Sequence, residues 1–417
     1  MFNRSHKVFY GWWIVSASFL IALYVGGVVF YGFTAIFEPI ANEFGWSYTQ
    51  ISLAASLRGL EMGLFAPVAG IITDRWGPRR VIFSGVIITA AGLILLSTTT
   101  SLGMFYGAFV LIAIGMSACI MTVPMTAITN WFQTKIGIAS GIALCGFGLG
   151  GLLVPVIVKL IDVYEWRMTI TILAIGMVVM VLPLSLVFRH KPEQYGYFPD
   201  GQVQHCATYH NGSLSQDMKT MQALKSGTFW HLALAFTYHM MVTSATITHI
   251  MPYLSSIGVG RLMSSLVATA IPLTSIGGRL GLGWLGDKVD RRLVATRAFT
   301  MMGFGLLCLG YVSTTDMWLL VPFLLLFGIG YGGSTALRPS LGREYFGRIN
   351  FGTIFGLIIG IGGLGSIIGP TAAGWVYDNF GSYQGIWFVF AGLAIVAVIS
   401  MLTIPVSGRE DKDVYKA

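Results

Sequence analysis

Twelve apolar blocks follow one another along the chain, at 11–37, 50–73, 81–98, 104–129, 136–161, 168–188, 228–254, 262–286, 293–313, 317–337, 351–377 and 384–405. A helix of about 20 apolar residues spans the ~30 Å hydrocarbon core of a bilayer, so each block has the length of a membrane crossing. Only 10% of the 417 residues are charged and 55% are hydrophobic, where a soluble domain carries roughly 25% charged residues. Too little polar side chain is present to cover a surface facing water. The chain therefore reads as an all-α membrane protein. One long polar stretch, from Arg189 to Lys225, separates six blocks from six. This predicts an N-terminal half over 1–188, a linker over 189–225 and a C-terminal half over 226–417.

The formal net charge of +8 points to topology rather than to nucleic acid, because the basic residues sit in short loops between apolar blocks. With the N-terminus inside the cell, nineteen Lys and Arg fall on inner segments and two, Arg167 and Arg261, on outer loops. That asymmetry places both termini and the linker in the cytoplasm. The first block runs on without a small-residue cleavage site and reads as a retained membrane helix. Cys119, Cys145, Cys206 and Cys308 fall in apolar blocks or in the inner linker, so no disulfides are expected. Short termini and a compact linker suggest a prokaryotic inner membrane.

The two halves repeat. Gly70-Ile-Ile-Thr-Asp74-Arg75-Trp-Gly77-Pro-Arg79-Arg80 follows the second block, and Gly283-Trp-Leu-Gly-Asp287-Lys288-Val-Asp290-Arg291-Arg292 follows the eighth. Gly115, Pro124, Gly141, Gly148, Gly150 and Pro155 recur 215 residues later as Gly330, Pro339, Gly356, Gly363, Gly365 and Pro370. Two prolines and four glycines at one offset argue for a duplicated six-helix unit, its halves related by an axis along the membrane normal.

The Gly-to-Arg loops resemble the signature between helices 2 and 3 of the major facilitator superfamily. Tyr10-Gly11-Trp12-Trp13, Phe37-Glu38-Pro39 with Glu43-Phe44-Gly45-Trp46-Ser47, and Asn130-Trp131-Phe132 through Lys135, Gly137, Ala139 and Gly141 to Gly146 are similar to the monocarboxylate transporter family. The bacterial oxalate:formate antiporter is a relative with a comparable start to its fifth helix. The resemblance implies the major facilitator fold, twelve helices in two halves. It also implies a conformational charge network at Asp74, Arg75, Arg79, Asp287, Lys288 and Arg292.

Charges inside a bilayer are costly and mark function. Four cations lie within blocks: Arg58, Lys159, Arg279 and Arg338. Arg279 stands eight residues before Asp287, ~12 Å into the membrane at 1.5 Å per residue. It is the candidate anion site, since a guanidinium forks onto a carboxylate and stays charged when desolvated. The resemblance implies the same role, because monocarboxylate carriers have a functional arginine in the eighth helix. Arg58 has Glu61 three residues on, a neighbour on the same face. Lys159 and Arg338 fall near helix ends, where a long side chain reaches water. One central cation suits one carboxylate and disfavours a dianion. Animal carriers have an acid where this chain has Ser275, and the lysine of the oxalate carrier's eleventh helix has no counterpart here.

Proton coupling needs a titrating group, and His249 and Glu61 are the candidates. Tyr331, Tyr24, Cys119 and Ser275 are candidate substrate contacts, and Tyr383 a candidate external gate. No P-loop, metal-ligand spacing or nucleophile motif is present. No cofactor is expected beyond a proton gradient, and enzymatic activity is the least favoured reading. The residues point to a monomeric secondary carrier of small monocarboxylates such as lactate or pyruvate, by proton symport. A carboxylate exchanger of the oxalate:formate type, a proton-driven exporter of hydrophobic compounds and a membrane receptor are the alternatives.

Overall fold

The computed structural model describes residues 9–57, 65–120, 122–132, 136–190, 192–195, 220–346 and 351–405, and all regular structure among them is helical. In chain order the helices are α1 (Gly11–Val25), α2 (Phe33–Phe44), α3 (Tyr48–Leu57), α4 (Ala66–Trp76), α5 (Pro78–Ser97), α6 (Leu102–Cys119), α7 (Thr122–Trp131), α8 (Ile136–Leu149), α9 (Leu153–Gly176) and α10 (Leu182–Ser185). They continue as α11 (Thr220–Lys225), α12 (Gly227–Ser256), α13 (Arg261–Lys288), α14 (Arg291–Tyr311), α15 (Leu320–Phe346), α16 (Phe351–Phe380) and α17 (Gln384–Thr403). A π-helical segment, Gly26–Tyr31, joins α1 to α2 within the first apolar block.

Nine helical stretches among the described residues are long and apolar enough to cross a bilayer. One of them, Ile138–Ser185, carries two of the predicted blocks. They are separated by a backbone reversal at Glu165, whose φ of 62° is left-handed. Arg167, two residues on, donates to the carbonyls of Ser97 and Thr99 at 2.8 Å each and stacks over Trp166. One of the two basic residues predicted for the outer loops thus ties down the C-terminal end of α5, where a cation also complements the helix dipole. Between α4 and α5 the chain turns at Gly77, φ 79°, followed by Pro78 at the first helical position. A side chain there would be strained, and proline pre-sets the next helix.

The chain forms two compact units, one of Met1–Ile36 with Leu60–His210 and one of Phe37–Gly59 with Asn211–Ala417. In the first, α1 packs on α8, and α5 on α6 and α9. In the second, the helices at the repeat positions pair the same way: α12 on α16, and α14 on α15 and α17. Within each unit small polar side chains turn inward while large apolar ones such as Val179, Phe304 and Ile395 stay exposed. In water such a surface would drive association; in lipid it is the solvent-facing side.

Helix α3 packs within the second unit, along α16. Its first turn carries a reciprocal cap: Gln50 N–H donates to Ser47 Oγ at 3.2 Å and Ser47 N–H to Gln50 Oε1 at 3.0 Å. The remaining donors of that turn, the N–H groups of Tyr48 and Thr49, reach the carboxylate of Asp378 in α16 at 2.9 and 2.8 Å.

Candidate functional site

Arg279 lies in α13, half-buried, where that helix crosses α15. The crossing is close because α15 presents Gly332. A Cβ there would fall on the carbonyl oxygen of Ser275 and 2.9 Å from the backbone nitrogen of Arg279. The side chain next to this contact is Tyr331, 6% exposed, and the guanidinium carbon of Arg279 stands 5.8 Å from its ring centroid. Tyr331 in turn lies 5.7 Å from the ring of His239 on α12. His239 is buried, its Nδ1 2.8 Å from the hydroxyl of Ser334. Ser334 also reaches the carbonyl of Gly330 at 2.8 Å. A carbonyl only accepts, so the serine proton goes there and Nδ1–H of His239 donates to the serine. Three helices thus gather a guanidinium, a phenol and an imidazole in the interior of one unit. Such a set can hold a small anion by charge, by a hydroxyl donor and by an aromatic face. Ser275, the other candidate from α13, is fully buried and donates to the Pro272 carbonyl at 2.6 Å. Its proton is committed to its own helix.

His249 occupies a second, separate cluster in the same unit. It is fully buried, with Nε2 2.9 Å from both the Pro370 carbonyl and Ser52 Oγ, and Nδ1 2.9 Å from the hydroxyl of Tyr383. Ser52 itself reaches the Tyr48 carbonyl at 2.5 Å. With Pro370 an obligate acceptor, Nε2 carries the hydrogen and Nδ1 accepts from Tyr383: a neutral imidazole with both nitrogens used. Loading a second proton requires the Tyr383 hydroxyl to turn from donor to acceptor. Tyr383 is 1% exposed and stacks on Tyr377 at 4.6 Å, which lies 4.4 Å from Tyr48. Ser56 donates to Ile367 O at 2.8 Å, one turn further along the same α3–α16 seam.

The remaining candidates are spread. Tyr24 and Cys119 belong to the first unit. The Tyr24 hydroxyl donates to Leu173 O at 2.8 Å, just before the π segment, and Cys119 is fully buried near Gly85 of α5. Glu61 lies outside the described residues, as do the side chains of Asp74 and Asp287. Arg75 and Arg79 are exposed around the Gly77 turn. In the second repeat of that motif, Lys288 stands 3.9 Å over the ring of Trp284. Arg292 donates to the carbonyls of Leu402, in the last turn of α17, and of Ile404 just beyond it. Asp290 caps α14 through Arg292 N–H at 2.8 Å, and Arg291 pairs with Glu344 of α15 at 3.1 Å. This basic loop therefore ties together the ends of α14, α15 and α17.

Two motifs quoted from the sequence meet in space. Tyr10 and Trp12 pack on Trp131 and Phe132 with ring centroids 5.3 and 5.1 Å apart. Both groups hold the segment after α10: Tyr10 OH donates to Val187 O, Trp131 Nε1 to Arg189 O, and Asn130 Nδ2 to His190 O. Arg189 lies 3.9 Å over the Tyr10 ring. In this structure these motifs fasten one end of the first unit.

Sequence reasoning missed Asp378 and Ser334. The first had a signal in Ser47-Tyr-Thr-Gln50, a capping box whose uncovered N–H groups call for an acceptor. The second, a lone serine in an apolar block, had none.

Comparison with known proteins follows the same lines. A family model described as the Major Facilitator Superfamily matches residues 17–358 and 250–416. Monocarboxylate transporter 12 of Mus musculus is 25% identical over 411 residues, 93% of this chain and 83% of that protein. Monocarboxylate transporter 13 of Rattus norvegicus is 27% identical over 415 residues, 95% of this chain and 89% of the other. The oxalate:formate antiporter of Oxalobacter formigenes is 24% identical over 409 residues, 97% and 94% respectively. A solved structure of a bacterial homolog of the human lysosomal transporter Spinster, inward-facing and unoccupied, shares the fold with a TM-score of 0.68. It matches over 95% of each chain at 17% identity.

Proposed function

The chain belongs to the Major Facilitator Superfamily, and from that premise we infer that it is a secondary carrier of small monocarboxylates, lactate- or pyruvate-like, moved together with protons. Family and relatives are multi-pass membrane transporters of small molecules rather than enzymes. The narrower reading rests on one observation, the guanidinium of Arg279 set against the phenol of Tyr331 in the interior of the second unit. A carboxylate bound there neutralises a charge that hydrocarbon disfavours, and the neutral pair permits a closure that a bare cation opposes. The half-units 1–188 and 226–417, joined by the linker 189–225, rock about this site. Both termini face the cytoplasm, the host is a cell or inner membrane, and one chain suffices.

His249 and Glu61 are the proton carriers in this reading. For His249 the route is the Tyr383 hydroxyl, which must reverse its hydrogen bond for Nδ1 to take a proton. A second reading, exchange of one carboxylate for another, draws support from the likeness to the oxalate:formate antiporter over nearly the whole of both chains.

The test is uptake of radiolabelled L-lactate into proteoliposomes, with and without an inward proton gradient, for wild type and Arg279→Ala. Symport predicts gradient-stimulated uptake that the substitution abolishes. Uptake that ignores the gradient but requires internal anion establishes exchange instead. Absence of any carboxylate uptake overturns both.

A further inference from the structure

Arg338 lies in α15, seven residues beyond Tyr331, near the end of an apolar block where its side chain was expected to reach water. The structure encloses it instead. The residue is 7% exposed and its Nε has no hydrogen-bond partner. Among the described residues no carboxylate pairs with it. Its neighbour is the face of Phe236, 5.0 Å away. A guanidinium carries five N–H donors and does not shed its charge in proteins. Enclosed in a membrane bundle without an acid, it costs several kcal/mol by order of magnitude. A ring face repays part of that cost; an anion repays more.

The surroundings say which anion. Helices α13 and α15 run side by side in one direction, with Gly332 against Ser275 and Arg279 and, further along both, Gly286 against Leu337. Arg338 begins six residues past Gly332, ~9 Å along the axis. Helical side chains lean toward the N-terminus of their helix, which carries this guanidinium back toward Tyr331 and Arg279. His239 lies 5.7 Å from the Tyr331 ring, and Phe236, whose face meets Arg338, stands one turn before His239 on α12. An anion held at Arg279 thus has a second, buried cation on the same pair of packed helices, with an imidazole and a phenol close by.

We propose that Arg279 and Arg338 are the two ends of one anion site, and that Arg338 selects ligands with a second carboxylate, making short dicarboxylates a substrate class of this carrier. The proposal rests on Arg279 being an anion site, and it reverses the expectation, drawn from a single central cation, that a dianion is disfavoured. A monocarboxylate still binds at Arg279 and leaves the second cation on the face of Phe236.

The experiment measures inhibition of L-lactate uptake in proteoliposomes of the full chain by malonate, succinate and monomethyl succinate. The melting temperature of the detergent-solubilised chain is followed with each compound in parallel. In wild type the dicarboxylates should act at concentrations about tenfold below the half-ester, the worth of one charged hydrogen-bonded pair. Arg338→Gln should bring that preference to within about twofold while the half-saturating lactate concentration moves less than about threefold. Loss of the malonate-induced rise in melting temperature should accompany it. No preference in wild type, or a preference intact in Arg338→Gln, overturns the proposal. If that variant aggregates, Arg338→Lys decides, because it keeps the charge and loses the fork: a reduced preference supports the proposal and an unchanged one overturns it. Normal lactate uptake by Arg279→Gln would instead refute the reading of Arg279. The melting shift with malonate would still report on Arg338.

Discussion

The two polar clusters of the second unit differ in kind: one is a network of matched hydrogen bonds, the other sets cations against aromatic rings. Around His249 the polar atoms are matched: both ring nitrogens, the Ser52 hydroxyl and the Tyr383 hydroxyl all meet partners within 3 Å. Around Arg279 and Arg338 the cations face rings, at 5.8 and 5.0 Å. A matched buried network rigidifies and specifies one packing. The buried Nε of Arg338 has no hydrogen-bond partner and is a donor to offer a visiting carboxylate. By this criterion the first cluster holds the α3–α16 seam together, and the second is the one proposed to bind ligand.

That contrast is open to direct attack. The largest effect is expected for Arg279→Ala, a loss of more than about a hundredfold in lactate uptake from removing a charged, forked contact. Its melting temperature in detergent should stay near wild type; a large fall would erase the distinction between the clusters. His249→Ala should behave in the opposite sense. It leaves the Tyr383 hydroxyl and the Pro370 carbonyl buried without a partner, at about 3 kcal/mol of stability. Calorimetry or a thermal melt reads this, and an unchanged midpoint would break the comparison at its strongest point. The milder His249→Gln separates packing from proton transfer. If His249 carries the proton, the glutamine variant should retain lactate exchange while losing stimulation by an inward gradient. Asp378→Ala removes the acceptor for two N–H groups of α3, but at an exposed position, so the cost is nearer 1 kcal/mol. The smallest effect is assigned to Tyr331→Phe, which keeps the ring and loses the hydroxyl. The half-saturating lactate concentration should rise about threefold, with stability unchanged.

Much of this architecture was legible in one sequence because a bilayer imposes a length. Apolar blocks of the right size, and glycines and prolines recurring at a fixed offset, needed no neighbour to be read. Position along a helix was legible too: Arg279 and Asp287, eight residues apart, share the one continuous helix α13. What one sequence does not carry is azimuth, the direction in which a side chain leaves its helix. Arg338 had a correct position along its block and a wrong destination, because only the packing of α15 against α12 and α13 turns it inward. The partition of the first two blocks was hidden for a similar reason. Phe37–Gly59 is sequentially part of the first half, but Asp378, Ile367 and Thr371 supply its hydrogen-bond partners from the opposite end of the chain.

The Gly332 crossing bears on how such a carrier can change over generations. The height of Arg279 is gauged against peptide groups, with no side chain interposed between α13 and α15 at that point. Side chains drift by substitution; a carbonyl and an amide nitrogen do not. The residues around the guanidinium can therefore be exchanged, and ligand preference retuned, while the charge keeps its place.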